Sequence, residues 1–245
     1  CAMATQSKRR QWLLGWCCTW EQVGRTATWG IRFLPWANIN GLNDEVIRAS
    51  LDTLARKHVR VQRALDRVGY PESRQRDQGF ATLARIVVGQ QVSVAAAASI
   101  NRKLEALLNN KVTAEAVLSA AEADLRSVGL SRQKTSYLQC LATAEATGQL
   151  QVDLLPDRAD SEVLEAITAI KGFGEWSAQM YLMFSLGRTD VWPVGDLAVR
   201  EGLRRILGLE QRPTPGECRR LGEPYAPHRS AFALLCWRFC DAEPL

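Results

Sequence analysis

The sequence predicts an all-α protein, and three observations carry that expectation. From Asn43 onward apolar residues recur at helical spacing, β-branched residues are not concentrated in any run, and glycine-bearing turns separate the periodic stretches. No self-similarity at a solenoid period is present. The composition changes near residue 40. Ahead of it Trp12, Trp16, Trp20, Trp29 and Trp36 are scattered among Arg, Thr and Gly without sustained periodicity. Residues 1–42 are therefore set apart as a tryptophan-rich segment not expected to fold as a unit, and residues 43–245 as the helical domain.

Taken in order, Asn43 to Val68 reads as a charged helical stretch whose buried face carries Val46, Ile47, Leu51 and Leu54. Gly69-Tyr70-Pro71 and the polar residues to Gln78 mark a loop. Phe80, Leu83, Ala84, Val87 and Val88 then trace the stripe of a further helix, which Gly89-Gln90-Gln91 interrupts. Ser93 opens the next helix, whose run Ala95 to Ala98 suits close helix packing. Further helices are expected over 114–127, 131–147 and 161–170, divided by Gly129 and a loop from Gly148 to Arg158.

A chain of 245 residues with 47% hydrophobic content can bury a substantial core. Its formal net charge of +5 is compatible with a phosphate-bearing partner but does not select one. Seven cysteines follow neither a disulfide framework nor paired zinc spacing. Cys236 and Cys240 stand close together and Cys218 lies far off, which does not support an iron-sulfur cluster. The thiols are read as reduced, and no metal or cofactor is expected. No apolar run approaches the roughly 18 to 20 residues of a membrane span, so a soluble intracellular protein is expected.

Two local patterns carry chemistry. Ala166 to Ala178 joins two apolar helical patterns through Lys171-Gly172-Phe173-Gly174, a hairpin between helices. Asp160 or Ser161 is the expected cap of its first helix. Gly172 and Gly174 permit positive φ and bare-backbone approach, and the N–H groups opening the second helix attract an anion. The same glycines would also serve a purely structural turn. The second pattern is Asp196, which follows Val191-Trp192-Pro193-Val194-Gly195 and precedes a helix bearing Leu197, Leu203, Ile206 and Leu207. It is either an ordinary N-cap or a carboxylate held to face a developing positive charge.

Phe80 to Ser93 with its Gly89-Gln90-Gln91, the Val128 to Lys134 turn, the Lys171 to Ala178 hairpin, Pro193-Val194-Gly195-Asp196 and Pro227-His228-Arg229-Ser230 occur in this order. Together they resemble the 3-methyladenine DNA glycosylase II family of the helix-hairpin-helix superfamily, over about residues 45 to 240. The resemblance implies a two-lobed helical fold with a cleft between the lobes. It also implies that the chain flips a damaged base out of duplex DNA and hydrolyses its N-glycosidic bond without a cofactor. Asp196 becomes the expected catalytic residue, and Gly172, Phe173, Gly174, Lys134 and Arg229 the expected phosphate contacts, with a solvated lysine and a structural arginine as the alternatives for Lys134 and Arg229. Gln91 becomes the expected wedge filling the gap in the duplex, with capping of the Ser93 helix as its structural alternative.

Trp176 stands where bifunctional relatives carry a lysine nucleophile, so Schiff-base chemistry with strand cleavage is not expected. Its ring would form a wall of the base pocket, with Met180, Leu197 and His228 completing it, or it would serve as an interhelix anchor. Phe173 and Glu175 depart from the family's usual hairpin, and the Glu175 carboxylate is expected to point to solvent. The expected partner is duplex DNA containing damaged bases, bound by a monomer, in the cytoplasm or nucleoid of a bacterium or the nucleus of a eukaryote. A base-stacking role for the tryptophan-rich beginning would fit this partner. A glycosylase for uracil or mismatched bases, and a non-catalytic DNA-binding module, are the competing readings.

Overall fold

The structure, a computed structural model, describes residues 41–242; the tryptophans of the opening segment lie outside them. Among the described residues the regular structure is helical, as the spacing predicts. The α-helices are α1 (Asp44–Lys57), α2 (Val59–Val68), α3 (Phe80–Gly89), α4 (Val94–Leu107), α5 (Ala114–Ser119) and α6 (Glu122–Ser127). They continue as α7 (Arg132–Ala146), α8 (Asp160–Thr168), α9 (Glu175–Phe184), α10 (Leu197–Leu207), α11 (Pro215–Gly222) and α12 (Arg229–Asp241).

Side chains at the helix starts explain several boundaries. Asn43, Ser93, Thr113 and Ser131 each accept a bond from an N–H in the first turn of the helix they precede. Three expectations are corrected. The stretch Asn43 to Val68 breaks at His58, which is extended at φ −131° and ψ 98° and ends α1 as α2 begins. The 114–127 helix breaks similarly at Ala120 and Ala121. Ala159, rather than Asp160 or Ser161, precedes α8, and its N–H donates to the Glu162 carboxylate at 2.9 Å. The Gly148 to Arg158 loop also contains a 3₁₀ turn over Val152–Asp157, where Val152 and Leu155 enter the core.

The helices sort into two packed groups. The central stretch of the chain supplies one, in which α3 packs on α4, α7 and α9, α8 on α9, and α5 and α6 on α7. The other combines both ends of the described chain: α12 packs on α1, α2 and α10, and α10 also touches α11. Gly41 and Leu42 already belong to the folded body, since Leu42 is 2% exposed and Gly187 leaves room for the Gly41 backbone. Where the groups meet, the Phe184 ring of α9 lies 5.8 Å from the Trp237 ring of α12. Gly202 allows a very close approach of α10 to α12, because a β-carbon there would lie 2.0 Å from the Cys236 carbonyl oxygen.

Candidate active site

The hairpin between α8 and α9 is built from buried anchors and bare backbone. Ile170 and Phe173 are 4% and 5% exposed, and the Phe173 N–H donates to the Ile170 carbonyl at 3.0 Å. Phe173, expected at a phosphate, has its ring enclosed in the core, where it holds the turn. Gly172 adopts φ +97°, and a β-carbon on it would lie 2.1 Å from Cγ of Tyr137. Its carbonyl accepts from Gln90 Nε2 at 2.9 Å, which ties the end of α3 to the bend. Gly174 differs: nothing lies within 4 Å of its missing β-carbon, so its backbone is open to an approaching ligand. The first N–H groups of α9 have no partner within the helix, the ordinary state of a helix start and one suited to an anion.

Gly172→Ala combines a strained φ with the Tyr137 overlap and is expected to cost about 2–3 kcal/mol. Urea unfolding checks this, and a cost below about 0.5 kcal/mol, the size of an ordinary surface change, would contradict it.

Glu175 does not reach back over the bend. Its carboxylate accepts from Gln179 Nε2 at 3.0 Å and lies 3.9 Å from the Arg219 guanidinium, along and beside α9. That side chain is about half exposed, and the hairpin backbone stays uncovered.

The loop before α10 is pinned on several sides. Val191 N–H donates to Ser230 Oγ at 2.9 Å, Trp192 Nε1 to the Cys218 carbonyl at 2.9 Å, and Asp196 N–H to the Pro193 carbonyl at 3.0 Å. Asp196, half-buried, then caps α10: its Oδ1 accepts from the N–H groups of Ala198 and Val199, each at 2.9 Å. Oδ1 also accepts from Trp237 Nε1 at 3.0 Å, and Oδ2 accepts from Trp176 Nε1 at 2.8 Å. The two readings of Asp196 are thus compatible. One oxygen serves the helix while the other meets the first turn of α9, directly after the hairpin.

Trp176 is half-buried, consistent with a ring that also presents surface outward. Met180, one turn further along α9, is 6% exposed, and Leu197, next to Asp196, is 58% exposed. His228 is held against α1, with Nδ1 3.1 Å from Ser50 Oγ. The structure brings Trp176 and Asp196 into direct contact; it records no bond from His228 to either.

Gln91 sits exposed between α3 and α4 at φ +54°, a left-handed conformation unusual for a side chain with a β-carbon. Ser93 itself supplies the cap of α4, accepting from Ala96 N–H at 3.2 Å, so the capping alternative for Gln91 falls away. Val92 and Val94 beside it are 38% and 88% exposed, which makes this a projecting, partly apolar tip.

The two expected phosphate cations are engaged within the protein. Lys134 Nζ donates to the Val88 carbonyl at 2.7 Å, near the C-terminal end of α3, where a cation is favourable. Burial holds its ammonium below the ordinary lysine range. Arg229 donates to both oxygens of Asp190, at 2.7 and 2.8 Å, and this pairing raises its pKa. Both cations join distant segments of the protein. Trp237 was not foreseen. A buried indole must find an acceptor for its N–H, but nothing near residue 237 in the sequence names Asp196 as that acceptor.

Among the described residues no cluster of His, Cys, Asp or Glu could hold a metal ion, and no helix is long and apolar enough to cross a membrane. A cavity of about 560 Å³ lies at the Phe184 to Gly187 end of α9, away from the start of α9 where Trp176 stands.

DNA-3-methyladenine glycosylase 1 of Schizosaccharomyces pombe is 32% identical over 68% of this chain and 74% of its own length. A solved structure of a 3-methyladenine DNA glycosylase from that yeast, in complex with abasic DNA, superimposes with a TM-score of 0.72 at 30% identity, covering 77% of this chain and 95% of that one. A DNA-3-methyladenine glycosidase from Bacillus halodurans gives a TM-score of 0.69 at 27% identity, covering 78% and 89%. Residues 84–227, more than half of the chain and spanning the hairpin and Asp196, match the HhH-GPD superfamily base excision DNA repair protein family. The chain belongs to the HhH-GPD superfamily of base excision DNA repair proteins.

Proposed function

We propose that this chain is a monofunctional DNA glycosylase that hydrolyses the N-glycosidic bond of alkylated purines, with Asp196 as its catalytic carboxylate. The observation that carries the proposal is the 2.8 Å bond from Trp176 Nε1 to Asp196 Oδ2 immediately after the hairpin. It puts a carboxylate, an aromatic face and an anion-ready helix start in one place. A base inside a duplex cannot be reached, and extruding it costs a few kcal/mol, least for damaged or poorly paired bases. The Gly174 backbone and the start of α9 grip the phosphate beside the lesion. The Gln91 tip, between exposed Val92 and Val94, occupies the gap left in the stack.

As the bond breaks, the sugar gains oxocarbenium-like positive charge, which Asp196 stabilises while water attacks. An alkylated purine is itself cationic and leaves readily, so the site needs little acid catalysis. The Trp176 ring attracts such a base by about 0.5–2 kcal/mol. Leu197, exposed beside Asp196, extends the surface from Trp176 and Asp196, and Met180 and His228 keep the pocket roles that the resemblance implies. A tryptophan at position 176 cannot form a Schiff base, so the strand remains intact. One chain carries tip, hairpin and carboxylate, so a monomer suffices, acting wherever the cell keeps its DNA.

The test is product release from methylated and from uracil-containing duplexes, followed by chromatography of free bases. Free 3-methyladenine or 7-methylguanine is expected, with no uracil. Uracil alone would assign the chain to the competing glycosylase class. DNA binding without release of any base would leave a non-catalytic module.

A further inference from the structure

We infer that Trp237 is a positioning residue that fixes the orientation of the Asp196 carboxylate through its indole N–H. The inference rests on the assignment of Asp196 as the catalytic carboxylate. The Ala198 and Val199 N–H groups come from the helix that Asp196 itself caps and both bind Oδ1, while Trp176 Nε1 on α9 binds Oδ2. Trp237 adds a donor to Oδ1 at 3.0 Å from another helix. Oδ1 then holds three donors and its hydrogen-bonding capacity is filled, whereas Oδ2 holds Trp176 alone and keeps capacity for the sugar.

The surroundings of Trp237 argue for this role over stacking on a base. The side chain is 8% exposed, its ring packs near Phe184, and the Arg74 guanidinium stands over it at 5.7 Å from the centroid. The ring is largely enclosed, and its N–H edge is the part that reaches the carboxylate. The position is set by the backbone as well: Gly202 presses on the carbonyl of Cys236, the residue preceding Trp237, which fixes α12 against the helix Asp196 caps.

The test uses the full-length protein in single-turnover excision of 7-methylguanine from duplex DNA, with Trp237→Phe, Asp196→Asn and the double variant. Trp237→Phe keeps an aromatic ring and removes the donor. Its excision rate is expected to fall on the order of 10-fold, the scale of a bond to a charged group, with unchanged affinity for duplex containing an abasic site. In the Asp196→Asn background the same change is expected to have little further effect, because the charge it positions is gone. Incorporation of 3-benzothienylalanine at position 237 replaces the N–H by sulfur at nearly constant shape and should reproduce the loss, which covers the case in which phenylalanine perturbs packing. An unchanged rate with the isostere, or a loss that multiplies in full with Asp196→Asn, would overturn the inference. An Asp196→Asn protein with undiminished excision would instead overturn the assignment beneath it.

Discussion

Asp196→Asn is expected to lower the excision rate for alkylated purines on the order of 10²-fold or more while leaving the fold and DNA binding intact. The substitution isolates charge from architecture. Asparagine is as good an N-cap as aspartate, so its side-chain oxygen can still accept from Ala198 and Val199. What disappears is the negative charge facing the sugar as its bond to the base breaks. Single-turnover excision, with binding to an abasic duplex measured in parallel, decides the matter. A rate within a few-fold of the parent would remove Asp196 from the mechanism, since that is below the scale of a lost electrostatic stabiliser. Asp196→Ala is a poorer probe, because losing the cap costs about 1 kcal/mol of stability in addition.

Gly202→Ala is expected to destabilise the protein by about 3 kcal/mol, lowering Tm by roughly 6–12 °C. A β-carbon at this position would lie 2.0 Å from the carbonyl oxygen, 2.5 Å from the carbonyl carbon and 2.7 Å from Cα of Cys236. These are backbone atoms in the middle of α12 and cannot swing aside as the end of a flexible side chain would. The helices must separate, and separation also draws Trp237 away from Asp196. Excision below the new Tm should fall as well. Thermal unfolding with a Tm unchanged within about 2 °C, less than 1 kcal/mol for a domain of this size, would show that the contact is softer than its geometry implies.

These two substitutions sit on opposite sides of the boundary between what local sequence encodes and what packing adds. Helix spacing and side-chain caps are relations among residues three or four apart, and so α3, α4 and α10 were legible from their apolar stripes and from Ser93 and Asp196. The hairpin was legible for the same reason, its glycines lying between two periodic stretches. Breaks at His58 and at Ala120-Ala121 were not, because no proline or glycine marks them and the apolar pattern runs through.

The cations at the supposed strand contacts mark the other limit. Lys134 and Arg229 have the charge a phosphate would need, but their partners, Val88 and Asp190, lie 46 and 39 residues away in the chain. The Phe173 ring, beside two open-looking glycines, is withdrawn into the core. In each case residue type suggested a surface role, and packing adds a partner or a place within the protein that local sequence does not name.

By itself the sequence determined the helical class, the glycine bend between α8 and α9, and a carboxylate at the head of α10, since each depends on torsional preference and on hydrogen bonds within one or two turns. Tertiary packing alone decided which donors surround that carboxylate. Trp176 and Trp237 stand 20 and 41 residues from Asp196, and they meet it only because α9, α10 and α12 converge.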